Sequence, residues 1–276
     1  MARTALITGC SSGIGRELAL QLRANGWHVF VTARRKAALN EFTNQEGFTP
    51  LVLDVNHQEQ RQHLWEQLQQ HGQLDLLVNN AGYGAMGPVI EMPEQALAQQ
   101  FATNVFAPLA LAQLCFPLLR ESPRGMIVNL GSISGIITTP FSGAYCATKA
   151  ALHSLSDALR MELAPFGIEV ITVQPGAIAS EFGNNATSTL LETLPEDSLY
   201  QPLTPFIEAR ANASQQNSTS TKAFVAELLK TIEKQPAVAE ARIGHGSTAL
   251  PLLKRLLPTK AVDVILKKKF GLNRRL

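Results

Sequence analysis

The sequence predicts an α/β fold, one doubly wound parallel sheet of seven strands with helices on both faces, in a single domain. Three observations predict it. Short apolar runs alternate with amphipathic segments along most of the 276 residues, the pattern of strands buried beneath helices. A glycine-rich turn, Gly9 to Gly15, joins the first apolar run to the first amphipathic segment, where a strand must turn sharply into a helix. An apolar fraction of 45% with 17% charged residues describes a globular chain with a large core.

In chain order the predicted strands are 5–8, 28–32, 49–54, 74–79, 125–130, 168–173 and 237–242. Helices are predicted over 13–25, over 58–71, where Leu64, Trp65 and Leu68 recur at helical spacing, and over 144–166, which Pro165 and Gly167 stop. The segment 180–221 is rich in Asn, Ser, Thr, Pro and Gln. It is too long for a bare loop in a compact domain, so short helices and a function over the substrate are expected there. The catalytic domain is expected to span 1–246. A basic, Leu-rich extension over 247–276 follows, two short helices (250–257 and 261–270) split by Pro258.

The net charge of +2 is too small to imply a nucleic-acid partner, and none is expected. The extension is the exception, with eight basic residues against Asp263 alone. Beside Leu250, Leu252, Leu253, Leu256, Leu257, Val264, Ile265 and Leu266, these lysines and arginines suit peripheral contact with an anionic membrane. Cys10, Cys115 and Cys146 have no metal-ligand spacing, so no metal site is expected and the cysteines read as buried hydrophobes in a reducing compartment. No leader is read before the first strand, and no apolar run reaches the roughly 18 residues of a membrane span. A cytoplasmic protein is therefore expected.

Thr8-Gly9-Cys10-Ser11-Ser12-Gly13-Ile14-Gly15 follows the first strand and opens a helix. Glycines there let backbone approach a pyrophosphate, and the helix N-terminus offers unpaired N–H groups. The second strand ends Thr32-Ala33-Arg34-Arg35. An acid at that strand end would bind the ribose 2′-hydroxyl of NAD; Ala33 followed by Arg34 and Arg35 suits the 2′-phosphate of NADP(H). Asp54 and Val55, ending the third strand, suit the adenine, and Asn80, Ala81 and Gly82, ending the fourth, suit close approach to a ribose.

Tyr145 and Lys149 stand at i and i+4 on one predicted helix face. A phenol titrates at about 10, too high for an efficient proton shuttle at neutral pH, and a neighbouring ammonium lowers that value. Ser132 lies 13 residues before Tyr145, past the fifth strand, where its hydroxyl can bond a substrate oxygen.

Together, in order, the glycine turn, Asn79-Asn80-Ala81-Gly82, Asn104, Ser132, Tyr145-x-x-x-Lys149 and Pro175-Gly176 resemble the compact single-domain branch of the short-chain dehydrogenase/reductase family, over roughly residues 4–180. The resemblance implies a Rossmann sheet and an Asn104–Ser132–Tyr145–Lys149 tetrad. Tyr145 would be the acid in reduction and the base in oxidation. Lys149 would tune it and bond the nicotinamide ribose, and Asn104 would hold a water linking Lys149 to solvent. Pro175 and Gly176 would pack beside the nicotinamide, and Ile178 would present backbone to its carboxamide. Ser180 stands where the family often has Thr, keeping the hydroxyl. A homodimer through helices near 101–119 and 144–166 is also implied, with Leu109, Leu111, Leu155 and Met161 as outer residues.

The expected substrate pocket is apolar: Ile133, Ser134, Gly135 and Ile136 after Ser132, Phe141 before Tyr145, and Ala177 and Phe182 beyond. No Arg or Lys stands among them. A lipophilic carbonyl is expected (steroid, retinoid, fatty aldehyde or acyl ketone), and the chain is similar to steroid- and retinol-type members and to acyl-dihydroxyacetone-phosphate reductases. The alternatives are an NAD-linked alcohol dehydrogenase, against which the arginines argue, and a 3-oxoacyl-thioester reductase, against which the extension argues. A non-enzymatic NADP-sensing regulator is a third reading; retention of Tyr145 and Lys149 argues against it.

Overall fold

A computed structural model describes residues 2–188 and 194–275. Its strands are β1 (Thr4–Ile7), β2 (His28–Ala33), β3 (Phe48–Val52), β4 (Leu76–Asn79), β5 (Met126–Leu130), β6 (Glu169–Pro175), β7 (Ile178–Ala179), β8 (Thr219–Ser220) and β9 (Glu240–Ile243). Seven form one parallel sheet in the order β3-β2-β1-β4-β5-β6-β9. These are the seven predicted strands, with ends shifted by a few residues. β4 starts only at Leu76 because the Leu74 N–H is taken by the Leu118 carbonyl at 3.1 Å.

The helices are α1 (Gly13–Ala24), α2 (Gln58–Leu68), α3 (Glu94–Phe101), α4 (Ala107–Arg120), α5 (Gly143–Leu163), α6 (Phe182–Ser188), α7 (Thr204–Ala211), α8 (Thr221–Ile232), α9 (Ala249–Leu256) and α10 (Thr259–Lys269). Alternation along the strands divides the core in two. Ala5, Ile7, Val29, Val31, Leu76 and Val78 face α1 and α8, whose Leu18, Leu22, Phe224 and Leu228 cover them. Leu6, Phe30, Leu77 and Ile127 face the other way, against Leu64 and Leu68 of α2 and Leu111 and Cys115 of α4. Both faces of every central strand are thus dry, as an all-parallel sheet requires.

Three features correct the sequence expectations. First, a π-helical turn at Ala102–Phe106 joins α3 to α4, so Glu94–Arg120 runs as one helix of 27 residues, long and apolar enough by composition to span a membrane. Half of its most apolar stretch is buried inside the fold. Pro108, in the first turn of α4, and Pro117, inside it, do not end the helix. Second, Leu111, expected on an outer face, is in the core at 1% exposure, whereas Met161 is 63% exposed and Leu109 and Leu155 are half-buried. Third, segment 180–221 holds α6 and α7 and also β8, which pairs in parallel with β7 (Ile178 opposite Thr219); residues 189–193 lie outside the described ones. The extension packs back on this segment. Leu266 and Phe270 meet Leu203, Phe206 and Ile207 around Phe141. The cysteines Cys10, Cys115 and Cys146 are free and buried.

Candidate active site

The strand order reverses between β1 and β4, and the crevice beyond their carboxyl ends is where such sheets bind ligands. The glycine turn lies there. Gly9 adopts φ +75° and Gly13 φ +58°, conformations that side chains rarely take. A Cβ on Gly15 would stand 2.5 Å from both Asn80 Nδ2 and the Gly9 carbonyl. Asn80 clamps the turn: its Nδ2 donates to the Thr8 and Gly9 carbonyls at 2.7 and 3.1 Å, and the N–H groups of Asn80 and Ala81 donate to Thr8 Oγ1, both at 3.0 Å. Ser12 is the N-cap of α1 yet makes no side-chain capping bond, and no acid occupies the first turn. Ser11 is exposed and Ile14 half-buried beside it. Ser180 reaches the same place, its Cβ 3.2 Å from where a Gly13 Cβ would be.

At the end of β2, Ala33 is buried, while Arg34 and Arg35 are exposed and make no ion pair among the described residues. Arg16, at the start of α1, is held by Glu41 in a two-pronged pair at 2.6 Å. Asp54 is half-buried and spends one oxygen on the Asn56 N–H at 3.0 Å. Val55 points into the core at 6% exposure, so the side chain expected beside the adenine is instead packing.

The tetrad assembles from three places: the π turn carries Asn104, the loop after β5 carries Ser132, and α5 carries both Tyr145 and Lys149. Tyr145, Lys149, Ser132 and Asn104 are all buried. Ser132 stands beside the Tyr145 hydroxyl, close enough to favour its phenolate, and its Oγ accepts from the Ser134 N–H at 3.1 Å. Lys149 donates to the Leu130 carbonyl at 2.6 Å, with Nζ 5.8 Å from the Tyr145 ring centre. Asn104, on the π turn, grips the Tyr83 backbone: its Oδ1 accepts from the Tyr83 N–H at 3.2 Å and its Nδ2 donates to the Tyr83 carbonyl at 2.9 Å and to Thr148 Oγ1 at 3.1 Å. Gly82 is flanked by Asn104 and Lys149, and a Cβ there would meet Asn104 Oδ1 at 3.0 Å. Burial pushes the Tyr145 hydroxyl up to about 12, against the pull of Ser132 and Arg210. Burial pushes Lys149 down to about 8. At neutral pH the phenol therefore carries its proton and the lysine remains mostly an ammonium.

Residues 3–190 match the short chain dehydrogenase family. The chain is a short-chain dehydrogenase/reductase. It is 34% identical over 269 residues to the uncharacterized oxidoreductase YbbO of Escherichia coli K12, covering 97% of this chain and 95% of that one. With the short-chain dehydrogenase ptmH of Penicillium ochrochloron it shares 39% over 229 residues, 82% of each. The crystal structure of a short-chain dehydrogenase from Streptomyces avermitilis superposes with a TM-score of 0.79 at 27% identity, over 97% of this chain and 95% of that one.

As an oxidoreductase of this family the protein works with a nicotinamide cofactor, and its residues fit one. The left-handed turn at Gly9 and Gly13, the uncapped start of α1 and the unused Ser12 hydroxyl make an anion cradle. Pro175, Gly176 and Ile178 continue from β6, where a Cβ on Gly176 would strike the His245 carbonyl at 2.0 Å; Ile178 is buried with the core.

Of the residues expected in the pocket of this dehydrogenase/reductase, Phe182 lies against Tyr145, ring centres 5.3 Å apart, and Met86, Ala186 and Ala211 close around the pair. Ile133, Ser134, Gly135, Ile136 and Ala177 are half-buried. Phe141 is not pocket lining: at 4% exposure it belongs to the cluster beneath α10. A cavity of about 380 Å³ lined by Arg3, Trp27, Asp75 and Met126 opens at the amino ends of the strands, the wrong end for catalysis in this fold.

Two functional residues escaped the sequence reading. His153, one turn beyond Lys149, accepts the Ser132 N–H at Nε2, 3.3 Å, and its ring fills the space that side chains on Gly131 and Gly135 would need. Arg210 is the second. The expectation of a pocket without a cation fails, because α7 carries this guanidinium in beside Ser134 and Thr139. It lies 65 residues from Tyr145 in sequence, on a helix whose inward face no local pattern gives. His153 could have been found by extending the i, i+4 face of α5 one further turn.

Proposed function

We propose that the protein is an NADP(H)-dependent oxidoreductase that interconverts a carbonyl and an alcohol on a lipophilic substrate. The observation that carries this reading is the buried cluster of Ser132, Tyr145 and Lys149, with the Lys149 Nζ 5.8 Å from the Tyr145 ring centre and the Ser132 side chain beside the phenol. Gly9, Ser11, Ser12, Gly13 and Gly15 would hold the pyrophosphate, Arg34 and Arg35 the 2′-phosphate, and Asn80 the turn itself. When bound, the nicotinamide ring supplies or accepts the hydride. The remaining work belongs to the chain. Ser132 orients the substrate oxygen, one lone pair of its Oγ being fixed by the Ser134 N–H. Tyr145, protonated at neutral pH, gives its proton to the oxygen in reduction and takes it back in oxidation. Phe182, Met86 and Ala186 exclude water and favour an apolar substrate body.

Replacing Tyr145 by Phe removes the proton and keeps the ring. Turnover of aldehydes and ketones should fall by about 100- to 10,000-fold, the usual worth of a positioned acid, while NADPH binding, followed by fluorescence, stays close to that of the unmodified protein. Retained turnover would overturn the mechanism.

A second observation favours a lipid partner. Leu252, Leu256, Val264 and Ile265 are exposed on α9 and α10 beside Lys260 and Lys267, and Lys254 reaches the Ile136 carbonyl at the pocket rim. We propose that this face rests on an anionic membrane surface.

A further inference from the structure

Arg210 is a half-buried cation with no carboxylate partner among the described residues. Its Nε donates to Thr139 Oγ1 at 2.6 Å, one Nη to Ser134 Oγ at 3.5 Å, and the Cys146 thiol lies alongside. The two hydroxyl partners carry no charge. A guanidinium has five N–H donors, so these bonds leave at least two unspent. Burial without a carboxylate holds its pKa below the ordinary arginine range. Keeping a charge in such a place is unfavourable unless an anion arrives to pair with it.

Its location says which anion. Ser134, which it touches, donates its N–H to the Oγ of Ser132, and Ala211, the next residue, packs in the cluster that covers the Tyr145 ring. The guanidinium therefore stands within one residue of both the serine that orients the substrate oxygen and the tyrosine that protonates it. We propose that Arg210 grips an acidic group, carboxylate or phosphate, on the substrate, so that the enzyme acts on amphiphilic carbonyl or alcohol compounds with an anionic head near the reacting carbon and an apolar body under Phe182. This deepens the reading of Ser132 and Tyr145 as the reacting pair and rests on it. The planar fork binds either oxyanion with two parallel bonds.

The test compares three medium-chain ketones that differ only at one end: the oxo acid, its methyl ester and the corresponding oxo-alkyl phosphate. Each is assayed with NADPH on the unmodified enzyme, Arg210→Lys and Arg210→Met, with melting temperatures measured to show that the variants fold. For the unmodified enzyme kcat/KM should favour one of the anions over the ester by about 10- to 100-fold, the worth of a charge-assisted hydrogen bond. The better anion identifies the head group. In Arg210→Met the ratio should collapse toward one through KM, and Arg210→Lys should restore part of it. An unmodified enzyme that prefers the ester overturns the proposal. So does a ratio unchanged in Arg210→Met, or an equal loss of kcat on all three with a shifted pH profile, which would make Arg210 a tuner of Tyr145. Titration calorimetry of a saturated medium-chain carboxylate into the NADP-bound proteins keeps the two readings separable. If no ketone turns over, the assignment of Tyr145 fails, while Arg210-dependent heat still supports the anion site and its absence overturns it.

Discussion

At the scale of single residues, the choice of cofactor comes down to one strand end. Ala33 is buried and brings no charge, and Arg34 and Arg35 are exposed with no ion-pair partner among the described residues. An exposed guanidinium gains little from surface carboxylates but binds a phosphate through two charge-assisted bonds. Replacing Arg34 by Asp reverses the local charge and supplies a carboxylate to which a ribose 2′-hydroxyl can donate. The ratio of NADPH to NADH affinity should fall by about 10- to 100-fold, read by fluorescence titration of the two cofactors. Equal affinities in the unmodified protein would sink the assignment. These residues were legible because Arg, Gly, Tyr and Lys were already at short sequence spacing. Val55 and Phe141 were misplaced because an apolar residue at a strand end or before a helix looks the same whether it lines a pocket or closes a core.

At the scale of elements, α5 is the working part of the site. Tyr145, Lys149 and His153 follow one another at four-residue intervals along its buried face: Tyr145 lies beside Ser132, Lys149 bonds the Leu130 carbonyl and His153 accepts the Ser132 N–H. Burial, reinforced by the Lys149 charge and opposed by Asp157, pushes His153 down to about 4 from its ordinary 6.5. Because the folded value is the lower one, the unfolded chain takes up the proton first as pH falls. The contribution of His153 to stability is therefore complete above about 6.5 and is lost between there and about 4, with roughly 3 kcal/mol at stake. His153→Gln, which retains an acceptor for the Ser132 N–H, should lose less stability over that window than the unmodified protein in urea melts at each pH. Parallel pH dependences in the two proteins would count against it. The helix itself was readable from its period and its Pro165-Gly167 stop. The π turn and the two-residue strands β7 and β8 were not, since two residues carry no period and a π turn differs from an α turn only in its hydrogen bonds. Arg210 was hidden for a related reason: which face α7 turns inward depends on how the whole segment 180–221 folds over the sheet.

For the whole molecule, the extension and the active site form one surface. Phe270 and Leu266 anchor α10 on Leu203 and Ile207 of the segment that carries Arg210, and Lys254 ties α9 to the loop after Ser132. What remains outside is apolar and basic at once: Leu256 is 70% and Val264 67% exposed, among lysines and arginines that outnumber the single acid, Asp263. In water such a face is unfavourable; at an anionic bilayer its leucines bury and each cation gains about 1 kcal/mol near the surface. A substrate with an apolar body would then enter from the lipid side, by the rim where Ile136 meets Lys254. The full chain should co-sediment with phosphatidylserine-containing vesicles at low salt. Binding should weaken as salt rises, since charges are screened beyond about 8 Å at physiological ionic strength, and it should be slight on neutral phosphatidylcholine. Leu256→Glu with Val264→Glu alters only exposed positions, so it should leave the melting temperature unchanged and reduce vesicle binding by about tenfold or more. Failure to sediment with anionic vesicles at low salt, or equal binding to neutral ones, would show that the basic face serves solubility and that substrate reaches Tyr145 from water.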